Sequence, residues 1–418
     1  MSTTGRAVRN IVVLAVTLSA LAGAMARTAA PRLATATIAA SRWPYLPGSL
    51  LPLNIEGLSA PYHVEILGPG RLLPPDTYEL PDAQSAGSTL LVAGNAAALA
   101  TRRVRIGSVP RADRPLLLVA CYEDGLVLHH GRTLSVAGIL GTGGAPSDVA
   151  IDRLGRAAVT DTQGTSLTIL RLLPWSVSRI AGVVTGDDVA IDESTHAFFV
   201  TDREWNGTGA LTRIGFDGSV ARVVTGETAE GLVVDERRQI VYVANANDGT
   251  IAFVDARSMQ VVRRFPAVPR VFALALSPDG KRLYATSNEA ADSPFRTSGR
   301  AIAIALDHQN PLIVARSASL VFPVGIALDD RTKTLFVSDE ERNEIDVLDA
   351  RTLRAKHEAL PTCGIPWKLT VDGAAHRLYV PCAGDNAIDV FDARTLHRAA
   401  GAPFATGGYP LAIAVWRP

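Results

Sequence analysis

Two series of oxygen-bearing side chains recur in the middle of the chain and could bind a metal ion. Asp187 and Glu230 each begin an apolar run, whereas Asp161, Asp202 and Asn245 each end one. Carboxylate and amide oxygens are the ligands that hard cations such as Ca²⁺ prefer. If the fold brings these five side chains together, they predict a Ca²⁺ site. The alternative is that Asp and Asn at such positions cap turns and face water.

The apolar runs belong to a repeat that covers most of the chain. In residues 230–266, the runs EGLVVD, VYVAN, TIAFVDA and QVVRRF are four short β-type segments with turn residues between them. The first run recurs about every 40–50 residues, as PSDVAID, DDVAID, FALALS, PVGIALD, PWKLTVD and YPLAIAVW. A period of this length with four strands per repeat predicts an all-β chain folded as a β-propeller.

The two ends of the repeat region together supply one further repeat. Residues 116–121, 125–130 and 133–140 would be its second, third and fourth strands, and residues 411–416 would be its first strand. Pairing these segments would close the circle and remove two exposed sheet edges. The sequence therefore predicts a seven-bladed β-propeller over residues 113–418, closed by the C-terminal strand.

The N-terminal residues have the pattern of a secretory signal peptide. Arg6 and Arg9 form a basic region, residues 11–21 are apolar, and residues 24–26 (Ala-Met-Ala) match a cleavage site. We predict a signal peptide over residues 1–26 and a periplasmic or secreted mature chain without a membrane span. An uncleaved anchor is the alternative, although the apolar stretch is shorter than the roughly 20 residues that span a bilayer.

The segment between the signal peptide and the repeats has a different composition. Residues 27–45 are rich in Ala and Thr, which predicts a linker. Residues 46–112 contain five candidate strands, at 51–56, 62–67, 78–80, 89–92 and 103–106. Short strands separated by Gly and Pro predict a small β-sandwich-like module, of an immunoglobulin-like kind, ahead of the propeller.

Two repeats carry a resemblance to a known family. VYVANANDGTIAFVDARS and LYVPCAGDNAIDVFDARTL resemble the YVTN-type repeat of secreted bacterial β-propellers, which are NHL-like and distantly similar to the SMP-30/gluconolactonase-like propellers. In such propellers, the loops before each first strand and after each second strand lie on one face, around a central channel. The resemblance therefore implies two rings of residues on that face. The ring before the first strands, here called the start ring, is Ser147, Asp187, Glu230, Phe272, Val324, Trp367 and Leu411. The ring after the second strands, here called the end ring, is Cys121, Asp161, Asp202, Asn245, Ser287, Asp339 and Cys382.

The resemblance also implies an enzymatic alternative. SMP-30-like enzymes hold a metal ion with acids at such loops, and Glu230-Gly231 resembles their Glu-Gly-Pro opening. By this analogy Asp187, Glu230 and Asp202 would hold Ca²⁺ in a hydrolase such as a lactonase, and the cation would polarise a carbonyl group. The family pattern differs here, because those enzymes have six blades and an Asn-Gly opening that this chain lacks.

Other residues favour a protein that is not an enzyme. His129 and His130 are adjacent on a strand and point to opposite faces, His196, His308 and His376 fall in predicted turns, and no catalytic Ser or Cys motif is present. The 41 basic and 41 acidic residues balance, which disfavours a nucleic-acid partner. The leading hypothesis is an exported binding or scaffold protein without a cofactor, with a protein or small-molecule ligand at the loop face.

The last blade and one insertion suggest two further features. Cys363 lies just before the first strand of the last blade and Cys382 ends its second strand, so in antiparallel strands they predict a disulfide. The insertion at residues 289–299 would lie on the loop face. We predict that Phe295, Arg296 and nearby Trp205 contact a partner there, and a tolerated surface insertion is the alternative.

Overall fold

The computed structural model describes residues 34–35, 37–38, 41–58, 61–74, 77–81, 86–95, 98–111, 114–164, 166–181, 186–203, 208–288, 299–306 and 310–418. These residues form β-strands and one short 3₁₀ helix, Ala383–Asp385. Contacts divide the chain into two units, Met1–Val109 and Pro110–Pro418. Among the described residues, no helix is long and apolar enough to cross a membrane. The predicted signal peptide, residues 1–26, lies outside the described part.

The described residues of the first unit form nine short strands in three small sheets. The strands are β1 (Ala34–Thr35), β2 (Thr37–Ile38), β3 (Leu50–Pro52), β4 (Ile55–Glu56), β5 (His63–Leu67), β6 (Arg71–Leu73), β7 (Thr77–Glu79), β8 (Gly87–Gly94) and β9 (Ala98–Ile106). The sheet orders are β1-β9-β8-β5, β2-β4 and β3-β7-β6. Strands β1 and β2 fall within the segment predicted as a linker, and they pair with β9 and β4. The β-structure of this unit therefore begins upstream of residue 46.

The second unit consists of four-stranded antiparallel sheets, and seven are formed by the described residues. The first contains β10 (Leu116–Cys121), β11 (Gly125–His130) and β12 (Val136–Leu140), and the next contains β13 (Pro146–Ile151), β14 (Arg156–Asp161), β15 (Ser166–Leu172) and β16 (Trp175–Ala181). The third and fourth contain β17 (Gly186–Asp192), β18 (Ala197–Arg203), β19 (Thr208–Gly215) and β20 (Val220–Glu227), then β21 (Ala229–Asp235), β22 (Ile240–Asn245), β23 (Thr250–Asp255) and β24 (Val261–Pro266). The fifth and sixth contain β25 (Val271–Leu276), β26 (Arg282–Ser287), β27 (Arg300–Ala305) and β28 (Leu312–Arg316), then β29 (Pro323–Asp329), β30 (Thr334–Asp339), β31 (Glu344–Asp349) and β32 (Leu360–Pro361). The last contains β33 (Thr370–Asp372), β34 (Arg377–Cys382), β35 (Ala387–Asp392) and β36 (Phe404–Ala405), and β37 (Pro410–Trp416) ends the chain.

The C-terminal strand joins the N-terminal end of the second unit. Strand β37 pairs antiparallel with β10, so that Leu116 lies opposite Trp416 and Val119 lies opposite Ile413. It is thereby the first strand of the sheet that contains β10, β11 and β12. The first strands of the sheets, namely β37, β13, β17, β21, β25, β29 and β33, contact one another in a closed circuit. Sheets arranged radially in this way form a β-propeller.

Apolar side chains fill the space between neighbouring sheets. Phe199 and Leu211 of one sheet pack with Val241 and Ala252 of the next, and all four are fully buried. Alternate residues of a strand point to opposite faces of its sheet. Each sheet of the circuit can therefore bury residues against both of its neighbours, which explains why the repeat shows continuous apolar runs rather than a simple alternation.

Aspartates at the strand ends determine the repeated turns. Asp192 Oδ1 accepts hydrogen bonds from the backbone N–H groups of Ser194 (2.9 Å) and Thr195 (3.2 Å) after a first strand. Asp392 Oδ1 accepts them from Thr395 (2.8 Å) and its neighbour after a third strand. An Asp side chain that bonds the following backbone in this way stabilises a tight turn. This requirement explains why Asp recurs at these positions of the repeat.

Candidate functional site

A cavity of about 210 Å³ opens where the first strands begin. The start-ring residues Ser147, Asp187, Glu230, Phe272, Trp367 and Leu411 line it. Val324, the remaining member, is buried elsewhere, with 1% of its surface exposed. For these six residues, the predicted convergence of the start ring on one opening is confirmed. The cavity therefore lies at the mouth of the propeller channel.

The end ring is out of register with this cavity by one residue. Tyr122, Thr162 and Arg203 line the cavity, and each directly follows an end-ring residue. The end-ring side chains themselves are buried. Because successive strand residues point to opposite faces, a shift of one residue exchanges those that face the channel with those that face the sheets. The end ring was expected to face the channel, but its side chains are buried and the residues that follow three of them line the cavity instead.

The end-ring residues Asp161 and Asn245 use their side-chain oxygens in hydrogen bonds within a sheet or to the neighbouring sheet. Asp161 Oδ1 accepts hydrogen bonds from the backbone N–H groups of Ala145 (2.9 Å) and Gly164 (2.9 Å). Asn245 Oδ1 accepts one from the Thr225 hydroxyl at 2.9 Å, and its amide group donates one to Thr250 Oγ1 at 3.0 Å. These contacts match the turn-capping alternative, except that the side chains are buried instead of facing water.

Asp202 is also turned away from the other predicted ligands. Its Oδ2 forms an ion pair with Arg222 Nη2 at 2.9 Å, and its side chain is 2% exposed. The next residue, Arg203, points to the cavity instead. Within the described residues, no group of three or more His, Cys, Asp or Glu side chains is placed to hold a metal ion. The structure thus separates Asp202 from Asp187 and Glu230 and places a guanidinium group beside those two acids.

Asp187, Glu230 and Arg203 form one electrostatic cluster in the cavity wall. Arg203 Nη2 is in direct contact with Glu230 Oε2 and lies 3.7 Å from Asp187 Oδ2. Burial, followed by the negative charge of Asp187, raises the pKa of Glu230 well above its usual value. Burial opposes ionisation of Asp187 as well, but Lys368, Arg203 and a hydrogen bond from Glu230 lower its pKa. The opposite pKa shifts favour Glu230 as the protonated member of this pair, with its hydroxyl group donating the hydrogen bond to Asp187.

A second cluster, centred on Lys368, adjoins the first and was not predicted. Lys368 Nζ contacts Asp188 Oδ1 directly and lies 3.8 Å from Asp148 Oδ2. Burial, only partly offset by the positive charge of Lys368, raises the pKa of Asp148. Asp148 Oδ2 also accepts a hydrogen bond from the backbone N–H of Val189 at 3.0 Å. Lys368 thus links the last repeat to two repeats that lie far from it in sequence.

The sequence contains a signal that could have revealed this second cluster. The residue after each start-ring residue is Asp148, Asp188, Gly231, Ala273, Gly325, Lys368 or Ala412. This position is small in four repeats and charged in three. A Cβ atom on Gly231 would lie 2.5 Å from the carbonyl oxygen of Phe272, so neighbouring first strands leave no room for a side chain there. Charged residues at an otherwise Gly/Ala position indicate a functional or cross-channel contact.

Four half-buried aromatic side chains form the remaining wall. Tyr122 and Tyr409 meet edge to face with ring centroids 6.1 Å apart, and Phe272 and Trp367 are tilted with centroids 6.3 Å apart. All four line the cavity. Aromatic faces bind apolar or cationic parts of a ligand, whereas the carboxyl groups opposite bind polar parts.

The other predicted features have mixed outcomes. The structure joins Cys363 and Cys382 in a disulfide with Cα atoms 5.6 Å apart, within the usual range. Phe295, Arg296 and Trp205, the predicted partner contacts, lie outside the described residues, as does His308.

The remaining histidines and the third cysteine do not line the cavity. His196 and His376 have positive φ angles of 52° and 53° in turns, as predicted. His129 is buried against Thr406, with Nε2 2.9 Å from the Thr406 hydroxyl, and burial lowers its pKa to about 4. The free thiol of Cys121 is buried and lies 3.8 Å from the same hydroxyl. His129 and Cys121 thus pack in the sheet that β37 completes.

Comparison with known proteins supports the fold. No family model matches the sequence. The uncharacterized protein YncE of Salmonella typhi is 25% identical over 169 residues, which cover 39% of this chain and 47% of YncE. The chain thus spans about half the length of the curated relatives it matches. This similarity is in keeping with the predicted YVTN-type repeat.

Solved structures superpose over a larger part of the chain. A functionally unknown protein from Desulfotomaculum acetoxidans has a TM-score of 0.60 at 14% identity and covers 73% of this chain and 99% of its own. The periplasmic gluconolactonase PpgL of Pseudomonas aeruginosa has a TM-score of 0.59 at 14% identity and covers 72% of this chain and 99% of its own. At such low identity the likeness shows the fold alone, which is that of a β-propeller.

Proposed function

We propose that this protein is a seven-bladed β-propeller that binds a small organic ligand at the mouth of its channel without converting it. The observation that carries this proposal is the lining of the cavity, in which four aromatic side chains face five charged ones. A dry cavity of roughly 150 Å³ is enough to bind benzene in another protein. The cavity of about 210 Å³ is therefore large enough for a ligand with one ring and a few substituents.

The charges of the cavity are preorganised for binding. Arg203 lies against Asp187 and Glu230, and Lys368 lies against Asp188 and near Asp148. Both cations are therefore held in place before a ligand binds. Binding sites typically combine apolar walls with a few polar groups that fix the orientation of the ligand. Groups already held in place lose little conformational entropy on binding.

Lactone hydrolysis in the same cavity is the second candidate function. In such a step, water adds to the lactone carbonyl and gives a proton to a carboxylate such as that of Asp187, while a protonated carboxyl group such as that of Glu230 donates a proton to the leaving ring alkoxide. The superposition on PpgL, a gluconolactonase, motivates a lactone as the substrate. The Ca²⁺-dependent form of this mechanism would need Asp202 beside Asp187 and Glu230, whereas Asp202 pairs with Arg222. Proton transfer by Glu230 is therefore the form that we propose for this alternative.

Export to the periplasm or the medium is part of the proposal. It rests on the signal-peptide pattern of residues 1–26 and on the periplasmic PpgL as a structural neighbour. Cell fractionation and the mass of the mature N-terminus test it. We expect the mature chain to begin at Arg27 and to be absent from the cytoplasmic fraction.

A ligand panel with matched variants tests the binding proposal. Thermal unfolding would be followed with sugars, lactones, amines and aromatic acids, because a ligand at about 100 times its Kd stabilises the folded protein by about 2.7 kcal/mol. We expect a stabilising ligand whose effect is lost in Trp367→Ala and retained in Trp175→Ala, a change at the start of the outer strand β16. Turnover of glucono-δ-lactone that is abolished in Glu230→Gln would instead establish the hydrolase. If the stabilising ligand raises the unfolding temperature of Trp367→Ala and Trp175→Ala equally, it does not bind in the cavity and the proposal is contradicted.

A further inference from the structure

We infer that the ligand of the channel mouth carries a positive charge and is an organic ammonium ion on a ring-sized body. This inference rests on the proposed binding function and adds the chemical class of the ligand. It stands on the composition and geometry of the two charged clusters and on the aromatic side chains that line the same cavity.

The two clusters contain more acids than bases. Among the described residues of these clusters, Asp148, Asp187, Asp188 and Glu230 provide four carboxyl groups, whereas Arg203 and Lys368 provide two positive charges. Each cation contacts one carboxyl group directly and has a second one at 3.7 or 3.8 Å. Two carboxyl groups are therefore in excess, one in each cluster.

Without a ligand, burial favours the protonated form of one acid in each cluster. The two groups whose pKa values are raised, Glu230 and Asp148, are one from each cluster. Burial is the main cause in both, and for Glu230 the adjacent charge of Asp187 adds to it. A ligand cation bound beside these acids would offset the repulsion between the carboxylates of Asp187 and Glu230. Glu230 could then ionise and form an ion pair with the cation.

The aromatic wall supplies the second requirement of an ammonium site. Tyr122, Phe272, Trp367 and Tyr409 all line the cavity beside these acids. Aromatic faces attract cations through the quadrupole of the ring, and several such faces together recognise substituted ammonium ions. Aromatic residues beside surplus carboxyl groups therefore fit a cation that also has an apolar body.

Other classes of ligand fit the same cavity less well. An anion would find Arg203 already held by Glu230 and Asp187, and Lys368 already held by Asp188. A hard dication needs six to eight oxygen ligands, and no cluster of three or more acids with metal-binding geometry exists in the described part of the chain. A neutral sugar would leave the surplus acids protonated and would bind without any release of protons.

Calorimetric titration with three probes of equal size tests the inference. 2-Phenylethylamine, 2-phenylethanol and phenylacetate share one ring and differ in charge. We expect the amine to bind at least tenfold more tightly than the alcohol and the acid. We also expect its affinity to rise as the pH increases through the pKa of Glu230, with protons released to the buffer. The charged groups around Glu230 are Asp187 on β17 and Arg203 on β18, and Lys368 and Asp188 line the same cavity. All four remain in Glu230→Gln and in Glu227→Gln.

Matched variants distinguish failure of this inference from failure of the binding proposal. Glu230→Gln should lose the proton release and at least tenfold in amine affinity, whereas Glu227→Gln, three residues away and exposed, should change neither. Asp187→Asn offers the same test if Glu230→Gln folds poorly. Equal or tighter binding of the alcohol or the acid, lost in Trp367→Ala, would overturn the positive charge and leave the binding site intact. If none of the probes and no member of the wider panel binds, both proposals are wrong.

Discussion

Asp187 and Glu230, from two neighbouring first strands, share a hydrogen bond while Arg203 contacts both carboxyl groups. Glu230 is buried and Asp187 is half-buried, and the pKa of Glu230 is raised, so the charge of the cavity depends on the protonation of Glu230. The electrostatic state of the channel mouth is thereby coupled to pH and to the charge of a ligand.

The raised pKa of Glu230 predicts that the folded protein loses stability as the pH rises. The folded state binds more protons than the unfolded state between the unfolded pKa of Glu, near 4.3, and the higher folded pKa, so the free energy of unfolding falls across that interval. Gln at this position mimics the protonated acid. We expect Glu230→Gln to be more stable than the parent at pH 8, by about 1.4 kcal/mol for each pH unit of the shift.

Thermal or denaturant unfolding between pH 4 and pH 9 measures this effect. The difference between parent and variant should be small at pH 4 and should grow with pH, while Glu227→Gln should follow the parent throughout. A constant difference across the pH range would mean that Glu230 does not change its protonation state in this way.

Asp346 on β31 is a second acid whose burial should limit stability. Its Oδ2 has no hydrogen-bond partner among the described residues. Burial, with the charges of Asp339 and Glu344, raises its pKa to about 7. Asp389, at the matching position of β35, forms an ion pair with Arg398 at 2.8 Å. The free energy of unfolding of the parent should therefore fall as the pH rises from about 4 to about 7. We expect Asp346→Asn to lack this fall and to be more stable than the parent at pH 8 by about 1–3 kcal/mol.

The neighbouring repeat shows how the same acid could be satisfied. The isolated bridge between Leu348 and Ala355 matches the bridge between Phe391 and Arg398, so Ala355 occupies the position of that arginine. Ala355→Arg should therefore pair with Asp346, lower its pKa and stabilise the protein above pH 7. Ala355→Gln is the uncharged control, and an equal effect of Gln and Arg at pH 8 would contradict an ion pair.

The disulfide between Cys363 and Cys382 should contribute to the stability of the last repeat. It closes a loop with a sequence separation of 19, and loops of this size restrict the unfolded chain by about 3 kcal/mol. We expect the double variant Cys363→Ser/Cys382→Ser to have an unfolding temperature as low as that of the parent protein in a reductant. The reductant should not affect the double variant further, and a parent mass unchanged by reduction would show that the bond is absent.

Much of the fold could be predicted from the sequence, because turn-forming Asp and Gly recur with the period of the sheets. The pairing of β37 with β10 followed from counting strands, as residues 116–140 lacked a first strand of their own. The first unit was predicted less well, since β1 and β2 have two residues each and carry no periodic pattern.

The candidate site could be predicted only in part. Asp187 and Glu230 were found because they precede apolar runs, which fixes their position on the first strand. Arg203 was missed because a one-residue register shift at the end of β18 exchanges it with Asp202. Lys368 reaches Asp188 across 180 positions of sequence, and no local pattern encodes such a contact. Periodicity locates residues on strands, whereas contacts across the channel depend on closure of the circle.

Addition or removal of Ca²⁺ should leave the protein unchanged. The sequence suggested a Ca²⁺ site, but Arg203 supplies the positive charge beside Asp187 and Glu230. Asp161 and Asn245 use their oxygens in hydrogen bonds to the backbone and to Thr225. We therefore expect the same unfolding temperature with EDTA and with excess Ca²⁺. A rise with Ca²⁺ that disappears in Asp187→Asn would show that the cation displaces Arg203 from the acids.

A crystal structure of the protein with the ligand that most raises its unfolding temperature tests the binding proposal most directly. The account predicts density for that ligand in the cavity, with its ring against Trp367 or Phe272 and its polar group within hydrogen-bond distance of Glu230 or Asp187. Saturating ligand with an unoccupied cavity, or ligand bound at another surface, would contradict a binding site at the channel mouth.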